Sequence, residues 1–490
     1  MSLSTQYQTG TFTRRVAVIK SQSIVEIKFS GQEIGEAVAV FPQVSLSSCE
    51  VSSGRVNYGG RLVCTLVYAD GDGKLCRVQK GAEFTHYSDD ENLAPAHRSL
   101  CSLNCEKTQL KRDGSNWLVA VVVGAEISVY ASTERNLVTG AEGAIAKCEN
   151  KKLYSAVTFS GESEVEDDFD CNAEDVLIPA ADVLITDCIC RASAVEITGE
   201  IYLSLLAVRG GSPVSLDRIV PFKSEIPCED ALLARKAVCR AEIKDLSVNA
   251  RVNEDSGKCA VEVVASLGFA GRYFEEEETP LVLDAFSKDC KLNLTYAEEE
   301  ATPCTEVKVY SERISGLCAS KAKLDYTCAF LAASLPKAEF TRSEDGIEGG
   351  VSATLLYEQN GEVHSTEVNL PFAVTLNGLG DCCDNISVAV CGLNIRQRSE
   401  GECEAEAVLK IAATECERVT VKYLSDVTEG DAVEACDSAV SVYVPCAGDD
   451  LWDTAKKLCQ SPEEIQTTNP ELTFPLSGKE RILIYRPKNA

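Results

Sequence analysis

The sequence predicts a mainly β protein: three homologous, sandwich-like β repeats followed by a small β-α-α-β module. Three observations predict this. A glycine-led hairpin pattern occurs three times. Apolar residues inside each copy alternate with period two, which places them on one face of a strand. After Asp437 the pattern changes to short helical stretches with capping signals.

The first copy runs from Gly60 to Phe84, the second from Gly199 to Phe222 and the third from Gly349 to Phe372. Their first strands carry Leu62, Cys64, Leu66 and Tyr68; then Ile201, Leu203, Leu205 and Ala207; then Val351, Ala353, Leu355 and Tyr357. Turn residues follow: Asp70-Gly71-Asp72-Gly73, Gly210-Gly211-Ser212-Pro213 and Gln359-Asn360-Gly361-Glu362. Asn-Gly and Asp-Gly supply the positive φ of tight hairpins. The second strand ends on Phe84, Phe222 or Phe372, the last two preceded by proline.

Each copy then carries a second hairpin, with turns at Arg112-Asp113-Gly114, Asp255-Ser256-Gly257 and Glu400-Gly401. The strands after them, Trp117–Tyr130, Cys259–Phe269 and Cys403–Ala413, are rich in small and β-branched residues. Ser155–Val165 and Ser311–Ala322 read as lead-in strands. The copies begin 139 and 150 residues apart, a domain-sized rather than a solenoid-sized period. The units are therefore placed at 10–150, 151–300 and 301–435. One short helix is expected over Cys228–Val238, where Glu229-Asp230 would favour the positive end. The acidic stretches Glu164–Asp170 and Glu275–Glu278 read as solvated loops or edge protection, with a cation site as the alternative.

The C-terminal module is placed at 438–490. Ser438–Val444 is a strand, and Gly448-Asp449-Asp450-Leu451-Trp452-Asp453 leads into a helix through Cys459. Ser461-Pro462-Glu463-Glu464 makes a capping box for a second helix, and Asn469-Pro470 ends it. A last strand covers Arg481–Tyr485.

Composition narrows the function. In 490 residues, 47 Lys and Arg stand against 76 Asp and Glu, a formal charge of −29. That balance argues against nucleic acid, which needs a basic face, and against anionic lipid. No apolar run reaches the length of a membrane span, and Met1–Gly10 has no apolar core after a basic start, so neither insertion nor a secretory signal is expected. The 24 cysteines lack any Cys-x-x-Cys, so no metal is expected. They read as small buried hydrophobes, with later oxidative cross-linking as another reading. No nucleophile elbow, P-loop or dinucleotide fingerprint occurs, and His86, His97 and His364 are scattered. No catalytic residue and no cofactor are expected, and the chain is read as a non-enzyme.

Tyr443-Val444, Gly448-Asp449, Leu451-Trp452, Ala455, Asn469-Pro470, Leu476, Gly478 and Ile482-x-Ile484 resemble a LysM domain over 440–487. LysM domains bind N-acetyl-glucosamine polymers such as peptidoglycan and chitin. The resemblance implies a groove formed by Gly448, Asp449, Asp450, Leu451, Trp452, Asn469 and Pro470. The family usually has Thr where this chain has Asp450, which exchanges a donor for an acceptor-only carboxylate. Capping of the first helix by Asp449 or Asp450 is the competing reading.

β repeats followed by a terminal LysM resemble the SPOCS-domain (SipL-like) spore coat morphogenetic proteins of spore-forming Firmicutes. Residues 199–222 and 349–372 carry the likeness best; Gly81-Ala82-Glu83-Phe84 departs from the Pro-Phe ending. The resemblance implies a structural assembly role in the mother-cell cytoplasm, at the forespore surface and in the spore coat. It implies docking through the LysM region onto the basement-layer coat ATPase or other coat proteins. Peptidoglycan binding in cortex or wall is the alternative, and self-assembly of the repeats a further possibility.

Overall fold

The computed structural model describes residues 3–30, 34, 36–229, 231, 235–252, 259–322, 324–399, 402–433 and 439–485. Within them the chain is mainly β, with two short helices near the C-terminus. The turns expected at Asp255-Ser256-Gly257 and Glu400-Gly401 lie outside the described residues.

The first set of strands is β1 (Ser4–Phe29), β2 (Glu36–Ser52), β3 (Arg55–Ala69), β4 (Leu75–Asp89), β5 (Arg98–Asp113) and β6 (Asn116–Glu142). They form two antiparallel sheets, ordered β2-β3-β4 and β1-β6-β5. The sheets share one core: Val25, Ile27 and Phe29 of β1 and Val119, Val121 and Val123 of β6 meet Leu62, Cys64 and Leu66 of β3. The alternating face expected of β3 is the buried one, because only that phase removes its apolar side chains from water.

The second set is β7 (Ile145–Cys171), β8 (Asp175–Arg191), β9 (Ala194–Arg209), β10 (Ser212–Pro227), β11 (Ala237–Val252) and β12 (Cys259–Phe286). It repeats the order: β8-β9-β10 and β7-β12-β11. The third begins with β13 (Cys290–Ala301) and continues through β14 (Cys304–Ser320), β15 (Ala329–Arg342), β16 (Gly346–Gln359), β17 (Glu362–Thr375), β18 (Cys383–Ser399), β19 (Glu402–Cys416) and β20 (Val419–Ala432). Its sheets β15-β16-β17 and β14-β19-β18 join where Ala319 and Ser320 pair with Asn369 and Val368. Strand β13 pairs with β20, so it joins the third set although the second unit was expected to run to residue 300.

Turn chemistry sets the hairpins. Asn360 and Gly361 both take positive φ (55° and 84°) and close β16–β17 in two residues. Gly210 and Gly211 do the same between β9 and β10. At β3–β4 the Asp70 carboxylate accepts from the backbone N–H of Asp72 and Lys74 at 3.0 and 2.9 Å. The edge strands β2, β8 and β15 contain Pro42, Pro179 and Pro336, tolerated because an edge strand need not donate on its outer side.

The three sets meet at one hub. Val38 and Phe41 of β2, Leu177 and Ile178 of β8, Ala332 of β15 and Leu356 of β16 share a buried cluster. Arg77 Nη1 donates to Leu177 O at 2.9 Å and Lys337 Nζ to Cys105 O at 2.8 Å, tying one set to the next. A second junction joins the outer ends of β1–β6 and β7–β12 to the β13–β20 ribbon. Phe12, Leu137, Leu153, Leu281, Val421 and Tyr423 pack there, with Phe12 stacked on Tyr423 at 5.8 Å.

Two expectations are corrected. In Cys228–Val238 the described residues form no helix: Ala237 and Val238 are the start of β11, paired with Tyr273 and Arg272 of β12. Residues 230 and 232–234 lie outside the described residues. Glu164–Asp170 and Glu275–Glu278 are strand, not loop, lying on β7 and β12. Glu164, Glu166, Asp168 and Asp170 point outward from β7, an edge strand, so the edge-protection reading describes their placement.

Candidate functional site

The C-terminal module is β21 (Val440–Tyr443), α1 (Leu451–Leu458), α2 (Pro462–Thr468) and β22 (Ile482–Tyr485). The two strands pair antiparallel, Val440 with Tyr485 and Val442 with Leu483. Ser438, at the head of the expected first strand, lies outside the described residues. The helices form where capping chemistry directs. Asp450 is the N-cap of α1 and accepts from Asp453 N at 2.6 Å. Ser461 caps α2 by accepting from Glu464 N, and Glu464 returns the bond to Ser461 N at 3.0 Å.

Most of the expected groove residues are engaged inside the module. Gly448 has φ 93° and donates to Leu476 O at 2.7 Å. The Asp449 carboxylate accepts from Lys457 Nζ at 2.8 Å and Cys446 N at 3.0 Å. Those bonds, the lysine's first, hold it below the usual carboxylate range, and the same pair pushes Lys457 up. Asp450 is consumed by capping, so the competing reading describes it. Leu451 is half-buried against the module core. Asn469 is 2% exposed. Its Nδ2 donates to Ile465 O and Leu483 O at 3.0 and 2.9 Å, and its Oδ1 accepts from Leu483 N at 2.7 Å. Asn469 thus clamps β22 to the end of α2. Pro470 is exposed.

Trp452 faces the β body. Its Nε1 donates to Asp284 of β12 at 2.8 Å, and its ring meets Phe286 edge-on at 5.3 Å. Lys456 Nζ reaches both Asp284 oxygens at 2.6 and 2.8 Å, and Lys288 pairs with Glu464 at 2.6 Å. Phe286 and its cross-strand partner Ile145 enter the module's own core beside Leu458, Ile465 and Ile482. Burial pushes the Asp284 carboxyl up, but its bonds to Lys456 and Trp452 outweigh that and leave it low.

No protein-family model, no curated protein and no solved structure matches the chain.

The open surface of the module lies elsewhere. Ile482 and Ile484 point into the core, while Val440, Val442, Leu483 and Tyr485 point outward at 55, 59, 42 and 57% exposure. Because Val440 opposes Tyr485 and Val442 opposes Leu483, the four form one apolar face, extended by exposed Val444. Such a contiguous patch is the kind of surface that marks a contact site. Val440, Val442 and Val444 alternate in the sequence, but so do Tyr443 and the buried isoleucines. Which phase faced out was not readable from the pattern.

Elsewhere, the three histidines are apart: His86 on β4, His364 on β17 beside Tyr357, and His97 accepting from Ala94 N at 3.2 Å in a loop. Many cysteines sit in strand cores, as at Cys64, Cys190 and Cys259, and burial pushes the Cys64 thiol up to about 12.

Proposed function

We propose that the chain is a non-enzymatic structural assembly protein of the bacterial endospore coat. In this reading the three strand sets are homologous sandwich-like SPOCS repeats, and the terminal module is a LysM domain that docks onto a coat or forespore-surface protein. The observation that carries it is the outward apolar face of Val440, Val442, Leu483 and Tyr485 on a module anchored to the β body. An apolar sheet face suits a protein partner, since its burial releases water at about 25 cal/mol per Å². A sugar polymer would need outward hydrogen-bonding groups, and the Asp449 carboxylate and the Asn469 amide bond within the module. The −29 charge favours a partner with basic patches, or assembly helped by salt.

The test is a fluorescent fusion followed through sporulation. Removal of 438–490 is expected to disperse it in the mother cell. Unchanged encasement of the forespore would overturn the reading.

A further inference from the structure

A cavity of about 410 Å³ lies between the first and second strand sets. Cys49 of β2 and Cys101 of β5 line one wall; Gly161 of β7 and Arg240 of β11 stand on the other. The two thiols are side-chain neighbours on that wall. Ser99 Oγ donates to Cys49 Sγ at 3.3 Å. Both cysteines are partly exposed.

We propose that Cys49 and Cys101 are an oxidisable dithiol, a site of reversible disulfide formation with low-molecular-weight disulfides that enter this cavity. The roles follow from the donor. Cys49 receives a hydrogen bond from Ser99 Oγ that favours its thiolate, and the thiolate is the attacking form. The neighbouring Cys101 side chain, foremost, and the Ser99 hydroxyl draw the Cys49 thiol down. Cys49 attacks one sulfur of the small disulfide, forming a mixed disulfide and expelling one thiolate. Cys101 then loses its proton and attacks the Cys49 sulfur. The protein disulfide forms and the second small thiol leaves. Two electrons pass from the dithiol to the small disulfide, which becomes two thiols. The new bond ties the β2-β3-β4 sheet to the β1-β6-β5 sheet beside the second set.

The second set contains a matched pair without access. Cys188 of β8 and Cys239 of β11 occupy the corresponding strands, and their side chains are likewise neighbours. They are only 1 and 3% exposed.

The test treats the reduced full-length protein with oxidised glutathione, then maps thiols by differential alkylation and peptide mass spectrometry. The Cys49–Cys101 peptide is expected to appear well before Cys188–Cys239, by a factor on the order of ten or more in rate. Cys101→Ser is expected to accumulate glutathione on Cys49. Cys49 and Cys101 remaining alkylatable after exposed Cys148 and Cys446 have reacted would overturn the proposal. So would equal rates for the two pairs. The wild-type map decides this whether or not the variant folds.

Discussion

Gly199 and Phe222 stand directly opposite each other on β9 and β10, and the phenylalanine ring fills the space that a glycine side chain leaves. A Cβ on Gly199 would lie 2.6 Å from Phe222 Cζ and 2.3 Å from Leu184 O. The same opposition occurs at Gly60–Phe84 and Gly349–Phe372. The spacing that marks each copy in the sequence is thus one cross-strand register, repeated three times. The glycine lets the neighbouring edge strand approach, and the aromatic covers the gap.

Gly199→Ala is expected to destabilise the protein by about 1–3 kcal/mol, because the Phe222 ring must shift and the Leu184 carbonyl cannot. Gly210→Ala meets nothing within 4 Å and strains only its φ of 57°, so it is expected to cost about 1–2 kcal/mol. Urea unfolding of the two variants checks the difference in kind. The first should be rescued in part by trimming Phe222, and the second should not.

Asp284 makes module docking sensitive to acid. Its folded pKa is depressed, so its contribution is present above the unfolded value and lost as pH falls through the folded one. Docking should be complete above about pH 5 and weaken progressively below about pH 4. Trp452 emission in a Trp117→Phe background reports this directly. Asp284→Asn is expected to show the red-shifted, undocked spectrum already at neutral pH.

Asn469→Ala leaves Leu483 N and the Leu483 and Ile465 carbonyls without that side chain's bonds. The expected loss is about 2–3 kcal/mol, since buried polar groups lose partners. Thermal unfolding followed at Trp452 should move to lower temperature. A variant of unchanged stability but altered glycan affinity would instead mark Asn469 as a ligand contact.

Sedimentation of the full-length protein with purified peptidoglycan is expected to leave it in the supernatant. Strong pelleting abolished by Asp449→Ala would favour glycan binding through the loop before α1.

Much of the architecture was readable where the cause is local. Period-two apolar spacing marked β3, β9 and β16, and Ser461 with Glu464 marked the start of α2. Misreadings came where a local signal is masked or a partner is distant. The carboxylates of Glu164–Asp170 disguise an alternation that Val165, Asp167 and Phe169 complete on the inner face. Glu229-Asp230 suggested a helix start, yet Ala237 and Val238 pair with β12, and tertiary pairing overrides weak helix propensity. Trp452 reaches Asp284 across 168 residues, so nothing near either residue announces the contact. For the same reason the hydrogen bonds of Asp449 to Lys457 and of Asn469 to Leu483 were not readable.

The proposed docking surface of the module is its apolar sheet face. The most direct measurement is the position of a full-length fluorescent fusion carrying Val442→Glu and Leu483→Glu during sporulation. Both side chains point to solvent, so the fold should survive, as Trp452 emission can verify. A folded protein spread through the mother cell is the expected result. Normal encasement of the forespore by this variant would contradict it.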